Sequence, residues 1–263
     1  MKLSIITINR NNAQGLRKTI ESVISQTFTD FEYLIIDGAS TDGSTDVIKQ
    51  YEDKITYWIS EPDKGIYNAM NKGILKAVGA YCLFLNSGDA LSKDSILSDV
   101  FNKEYNSDIL CGYVSGKRNN ENLILYPPRQ YTFRFLYGHN IPHQAEFIRR
   151  KLLIELGLYN ETYKILSDYD FNIRSLLYGA VIENLDYEIS IIEMNGISND
   201  DKNNQLLIEE GQLIFNNLIP KSIMEDYIFF LDKKTYSHPA ISWLINRDLY
   251  FYFVKFIYKI FKR

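Results

Sequence analysis

Asp89 closes a stretch in which the apolar run Tyr81-Cys82-Leu83-Phe84-Leu85 gives way to Asn86-Ser87-Gly88-Asp89. The run has the length of a buried strand, and a glycine among small polar residues is how such a strand turns into loop. In an open α/β sheet, ligands bind beyond the carboxyl ends of the strands. A carboxylate there, beside a glycine that lets backbone approach closely, suits a hard cation held against a phosphate. The same Asp89 also suits a turn that caps a helix starting near Lys93. Polar groups end three other apolar runs: Thr7, Asn9 and Arg10 after the first, Asp37 to Ser44 after the second, and Glu61 to Gly65 after the third. Turn chemistry explains any one of them. Four on one edge of a parallel sheet can converge on one ligand.

The elements that must position these groups alternate. Strands are expected over Leu3 to Ile8, Phe31 to Asp37, Ile55 to Ser60 and Tyr81 to Leu85. Helices are expected over Ala13 to Gln26, Ser44 to Tyr51 and Ile66 to Ala77, where apolar residues recur at helical spacing. That alternation predicts an α/β fold with a mostly parallel sheet covered on both faces. The second half is less regular. It predicts a helix over Lys93 to Tyr105, a strand over Ile109 to Val114, a polar turn over Lys117 to Asn122 and a short aromatic helix over Tyr131 to Tyr137. A strand follows over Glu146 to Arg149, then a helix over Asp168 to Tyr178 and two short strands at Val181-Ile182 and Ile189 to Met194. Near residue 220 the pattern becomes helical, aromatic and basic.

Composition bounds the function. The chain has 263 residues, 46% of them hydrophobic, and a net charge of -4. No basic field favours nucleic acid. Cys82 and Cys111 sit inside apolar runs and read as buried small hydrophobes. The apolar N-terminal stretch is too short for a signal peptide, and no run is long enough to cross a bilayer, so a cytoplasmic protein is expected. Gly116-Lys117 lacks the spacing of a P-loop, and no Gly-X-Gly-X-X-Gly follows a strand, which weighs against kinase and dinucleotide readings. His139 and His143 are four apart, but Pro142 between them disfavours the helix that a zinc site would need. Trp243 to Arg263 interleaves aromatic and aliphatic residues with Arg247, Lys255, Lys259, Lys262 and Arg263. Such a segment suits peripheral contact with anionic lipid on the inner face of the plasma membrane. The alternative is a helix packed on the catalytic domain or on a second copy of the chain in a homo-oligomer.

Three stretches together resemble the family 2 glycosyltransferases: Ser4-Ile5-Ile6-Thr7-Ile8-Asn9-Arg10, Ile35-Ile36-Asp37-Gly38-Ala39-Ser40-Thr41-Asp42-Gly43-Ser44, and Ser87-Gly88-Asp89. The run from Ser60 to Ile74 is similar to a subgroup found in bacterial polysaccharide gene sets. The resemblance covers roughly residues 1 to 200. It implies a GT-A-type nucleotide-binding sheet flanked by helices, with a catalytic domain over 1–219 and a helical extension over 220–263. The donor-binding half would span about 1–115 and the acceptor-side half about 116–219. Thr7 and Asp37 match residues that hold the nucleotide base and ribose. Asp63 and Lys64 fall where the nucleoside is read further, Asn71 lies in a helix lining the donor pocket, and Asn9, Asn86 and Ser87 are further candidates for donor contact. Asp89 matches the last carboxylate of the metal motif, commonly Asp-X-Asp, while Asn86 or Ser87 stands where the first acid would be. The implied cofactor is Mn²⁺ or Mg²⁺.

Further along, Ser167-Asp168-Tyr169-Asp170 resembles the acidic pair at the start of a helix, and Asp168 takes the place of the catalytic aspartate. From the residues alone, Asp168 also suits an N-cap, and Asp170 points about 200° away on an ideal helix. His143 lies in a segment similar to one on the acceptor side of the pocket, as a contact to phosphate or acceptor. The expected activity is inverting transfer of a sugar from a nucleotide diphosphate sugar, uridine-linked, to a glycan or lipid-linked glycan. A nucleotidyltransferase and a catalytically silent nucleotide-sugar-binding scaffold are the alternatives.

Overall fold

The computed structural model describes residues 1–118, 121–193 and 201–231. Its first half alternates as the apolar pattern dictates: β1 (Leu3–Asn9), α1 (Ala13–Ile24), β2 (Phe31–Asp37), α2 (Ser44–Gln50), β3 (Tyr57–Ser60), α3 (Ile66–Lys76) and β4 (Tyr81–Asn86). These four strands pair in parallel. Next come β5 (Ala90–Leu91), α4 (Ile96–Val100), β6 (Ile109–Arg118), β7 (Glu121–Leu125), α5 (Phe133–Leu136) and β8 (Glu146–Arg149). The chain continues through α6 (Arg150–Glu155), α7 (Ser167–Tyr178), β9 (Ile182–Glu193), α8 (Asn204–Leu218) and α9 (Lys221–Leu231). The strand order is β3-β2-β1-β4-β8-β6-β9-β5, with β7 paired on β6. Short β8 runs antiparallel between β4 and β6 and joins the two halves.

Successive side chains of a strand face opposite sides, so each buried strand feeds two cores. Leu3, Ile5, Tyr33, Ile35, Leu83 and Leu85 pack with Leu16, Ile20 and Val23 of α1 on one face. Ile6, Ile8, Leu34, Ile36, Cys82 and Phe84 pack with Met70 and Ile74 of α3 and Phe171 of α7 on the other. Both cysteines are free and buried. The register sets Asn9 beside Asp37, Asp37 beside Ser60, and Ile8 beside Asn86. The polar strand ends therefore lie in one row.

Three expectations from sequence are corrected. The helix expected over Lys93 to Tyr105 is only the five residues of α4. Beyond it Phe101 and Tyr105 reach the same core as packed rings, their centroids 6.4 Å apart, from a non-helical path. The two short strands expected after Val181 are one continuous β9, because Ile182 to Asn184 and Glu188 to Glu193 both pair with β6 across register shifts beside Tyr113. The turn expected over Lys117 to Asn122 is flanked by paired backbone, since β6 runs on to Arg118 and meets β7.

The chain divides into two compact units, Met1–Gly211 and Gln212–Arg263. The basic aromatic stretch Trp243 to Arg263 lies outside the described residues. Among the described residues, no helix is long and apolar enough to cross a membrane.

Candidate functional site

At the ends of β1 to β3, Asp37 is fully buried and acts as a knot. Its Oδ1 accepts from Asn9 Nδ2 at 2.7 Å and Ser40 Oγ at 2.6 Å. Its Oδ2 accepts from Ser40 N at 2.9 Å and Ser60 Oγ at 2.6 Å. A carboxylate offers about four lone-pair directions, and here each has a donor. Thr7 does not reach the edge: it is fully buried, and its hydroxyl lies 3.0 Å from Tyr33 Oη inside the core. Asn9 keeps one buried atom, Oδ1, without a partner. Asp63 accepts from Gly65 N at 2.9 Å and leans over Gly38, so that a β-carbon there would displace the Asp63 carboxylate. Lys64 is exposed. Asn71 faces another segment, donating to the Tyr159 carbonyl and Glu161 at 2.9 Å each and accepting from Tyr159 N at 3.0 Å.

The loop after β4 is held by α1 and its N-cap residue. Asn12 Nδ2 donates to the Ser87 carbonyl at 2.9 Å, Thr19 Oγ1 to the Asp89 carbonyl at 2.6 Å, and Lys18 Nζ to the Gly88 carbonyl at 2.6 Å. Gly88 has φ of +110°, and the space a β-carbon would take is filled by the Glu193 carboxylate. The Asp89 carboxylate turns inward. Oδ2 accepts from Asn86 N at 3.0 Å and Gln144 Nε2 at 3.1 Å, and Oδ1 accepts from Glu193 N at 3.1 Å. Burial pushes this carboxyl above its usual range, while Gln144, the Glu193 amide and the His143 charge pull it back. Ser87 stands half-buried beside it.

Asp168, in the first turn of α7, has polar partners from four residues. Oδ1 meets Tyr67 Oη at 3.0 Å and Tyr169 N at 2.9 Å. Oδ2 meets Asn140 Nδ2 at 3.1 Å and His143 Nδ1 at 3.3 Å. The other ring nitrogen of His143, Nε2, lies 3.3 Å from Asn86 Nδ2. One imidazole thus bridges the β4 loop and α7. Asn140 is held in turn by Asn172 at 3.2 Å, and Asn172 makes a long 3.5 Å contact to Glu146. Glu146 is buried in β8 with Oε1 unpartnered. Burial, and then the charge of Asp168, push its carboxyl well above the ordinary range. Asp170 faces away from this group and pairs with Arg174 at 2.7 Å.

The lead-in to α7 is fixed from α8. Glu210 accepts from the backbone amides of Lys164 at 2.6 Å and of Ile165 and Leu166 at 3.0 Å each. Those are donors that no helical carbonyl would satisfy.

The structure therefore brings together Asn86, His143 and Asp168, with Asp89 one layer beneath. It keeps Thr7 and Asn71 away from them. Sequence reasoning missed Tyr67, Asn140, Asn172, Glu146 and Glu210. Tyr67 and Asn140 had a local signal, since Tyr67 lies in the Ser60 to Ile74 run and Asn140 three residues before His143. Glu210 had none.

The sequence model described as glycosyl transferase family 2 matches residues 4–157. A PGL/p-HBAD biosynthesis glycosyltransferase of Mycobacterium bovis is 34% identical over 204 residues, covering 74% of this chain and 78% of that protein. An uncharacterised glycosyltransferase of Mycobacterium tuberculosis is 32% identical over 180 residues, covering 66% and 69%. Among solved structures, TarS 1-349 of S. aureus in complex with UDP-GlcNAc superposes with a TM-score of 0.66 at 20% identity, covering 86% of this chain and 70% of that one. A mannosyltransferase of Pyrobaculum calidifontis in complex with GDP-Man and Mn²⁺ gives a TM-score of 0.57 at 13% identity, covering 73% and 56%.

Proposed function

Because the chain belongs to glycosyl transferase family 2 and is a glycosyltransferase of GT-A-like fold, we propose that its site transfers a sugar, with inversion, from a uridine diphosphate sugar to a hydroxyl of a glycan or lipid-linked glycan in bacterial surface polysaccharide synthesis. The donor nucleotide would lie along the row of strand ends. Asp37 shapes that row from within, Asn9 keeps an unpartnered amide oxygen there, and Asp63 and Lys64 stand at its outer side. The observation that carries the reading is the bridge Asn86–His143–Asp168, which ties the end of a nucleotide-binding strand to a carboxylate on the opposite wall. An acceptor hydroxyl held there loses its proton to the Asp168 group as its oxygen forms a bond to the anomeric carbon. The bond from that carbon to the diphosphate breaks, and its electron pair leaves with the diphosphate. Holding both substrates in line supplies much of the remaining rate.

A divalent cation, which the resemblance implies, would rest on Asp89. The residues present do not fit such a site. Both Asp89 oxygens are engaged by protein donors, and the described residues contain no group of three His, Cys, Asp or Glu side chains able to hold a metal. A panel of nucleotides and nucleotide sugars, read by thermal shift with and without Mn²⁺, tests the function, because a ligand that binds only the native state raises the melting temperature. A uridine diphosphate sugar should stabilise the protein and release nucleoside diphosphate once an acceptor is present. Release of pyrophosphate from a nucleoside triphosphate and a sugar phosphate, or binding without turnover across the panel, would overturn the reading.

A further inference from the structure

We propose that the stacked rings of Phe135 and His139 are the seat of the acceptor, and that the acceptor there is a pyranose lying on its C–H face. This deepens the reading above and rests on it.

Inversion fixes the side from which the acceptor comes. Its oxygen meets the anomeric carbon opposite the diphosphate, and on the reading above the diphosphate lies at the strand ends. Two groups share Asp168 Oδ2. His143 leads from it back to Asn86 and the β4 loop, while Asn140 leads away to the segment that follows α5. The body of the acceptor therefore belongs on the Asn140 side. Asn140 is exposed, and the residue before it in the chain is His139.

That segment is held in place. Thr132 caps α5, its Oγ1 accepting from Phe135 N at 3.2 Å. Leu136 is buried, and its carbonyl accepts from Tyr169 Oη of α7. The His139 amide donates to the Phe135 carbonyl at 3.1 Å, and the ring Nδ1 lies 3.4 Å from the same oxygen. Two contacts to one carbonyl orient the imidazole, which stacks on Phe135 with centroids 5.2 Å apart and an interplanar angle of 13°. His139 is exposed and Phe135 half-buried, and neither joins the two cores that cover the sheet. Leu136 anchors α5 without them.

A pyranose suits such a stack. Its hydroxyls lie around the ring edge, while its faces carry C–H groups that gain by leaving water against a flat apolar surface. The edge hydroxyls remain free, and Asn140 and Asp168 stand beside the stack to receive one.

The probes are methyl glycosides of the common hexoses and N-acetylhexosamines, both anomers of each, added to the full chain saturated with UDP. Saturation-transfer NMR reads which ring protons touch the protein. At least one glycoside should bind, with transfer concentrated on one ring face. In His139→Ala, and in Phe135→Leu, which keeps apolar volume without a ring, its Kd should rise about tenfold, the effect of returning one ring face to water. His139→Phe should stay within about threefold of wild type, because it keeps the flat surface. The thermal shift given by a uridine diphosphate sugar should be the same in every variant. Failure of every glycoside to bind wild type would overturn the proposal, as would an unchanged Kd in His139→Ala and Phe135→Leu, or a His139→Phe as weak as His139→Ala. Binding of dodecyl phosphate but of no glycoside would give the seat to a lipid and overturn it too. If a uridine diphosphate sugar still raises the melting temperature while the glycoside results fail, only the acceptor seat falls. If no nucleotide sugar raises it, the donor reading falls as well.

Discussion

The Tyr67 hydroxyl, on the first turn of α3, lies 3.0 Å from Asp168 Oδ1, on the first turn of α7. The same hydroxyl donates to the Ile165 carbonyl at 2.5 Å. Its single proton is shared between the backbone that leads into α7 and the carboxylate that α7 presents. Burial first, and the Asp168 charge second, hold the phenol well above its ordinary range, so it stays a donor at any working pH. Residues far apart in sequence are thus set against each other by one atom.

Tyr67→Phe keeps the ring in its core position and deletes that atom. The Ile165 carbonyl loses a buried partner, a cost of about 1–3 kcal/mol. Denaturant unfolding should show that loss, while kcat falls and donor KM stays near wild type.

Asp168→Asn preserves shape and removes charge. Transfer should drop by about 100-fold to 10,000-fold. Donor affinity, read by the thermal shift of a nucleotide sugar, should be nearly unchanged. Full turnover in this variant would remove Asp168 from the chemistry.

Asp89→Ala leaves the Asn86 amide, the Gln144 amide and the Glu193 amide without their common acceptor. We expect a loss of about 1–3 kcal/mol for each donor left buried and unpaired, seen as a lower urea midpoint with an unchanged m-value. Asp89→Asn should be milder.

Glu146 supplies a pH test. Burial holds its folded carboxyl well above the ordinary glutamate value of about 4.3, so between the unfolded and folded values the native state holds a proton that the unfolded chain has lost. Stability is then highest below the unfolded value and falls as pH rises through the folded one. Glu146→Gln should abolish that decline and be at least as stable as wild type at alkaline pH. A wild-type melting temperature that does not fall with pH in this way would show that Glu146 carries its charge without penalty.

Much of the frame was legible in the sequence, because β1 to β4 and the helices between them are long, apolar and regularly punctuated. The row of polar strand ends followed from parallel pairing alone. What a strand-end side chain does was not legible. Asp37 reads as a ligand contact in sequence, yet register places Asn9 and Ser60 beside it and consumes its oxygens. Asp89 reads as an open carboxylate, yet Gln144 and the backbone of Glu193 reach it from more than fifty residues away. Asp168 stood out through the family resemblance of Ser167-Asp168-Tyr169-Asp170, and its surroundings did not. Asn140, Asn172 and Glu146 become neighbours only through the packing of β8 against α7. Pairings of that kind have no local period to announce them.

The clamp of Glu210 on the backbone before α7 sets a lower limit on the working unit of this enzyme. Residues 4–157, which carry the family resemblance, contain the strand ends and His143 but neither Asp168 nor the carboxylate that fixes the approach to it. Cut at the family boundary, the chain would keep its row of polar strand ends and lose Asp168 with the rest of α7. Cut before α8, it would keep Asp168 and free three backbone amides just ahead of it. Shortened versions should therefore separate into binders and catalysts according to which side of residue 210 they end.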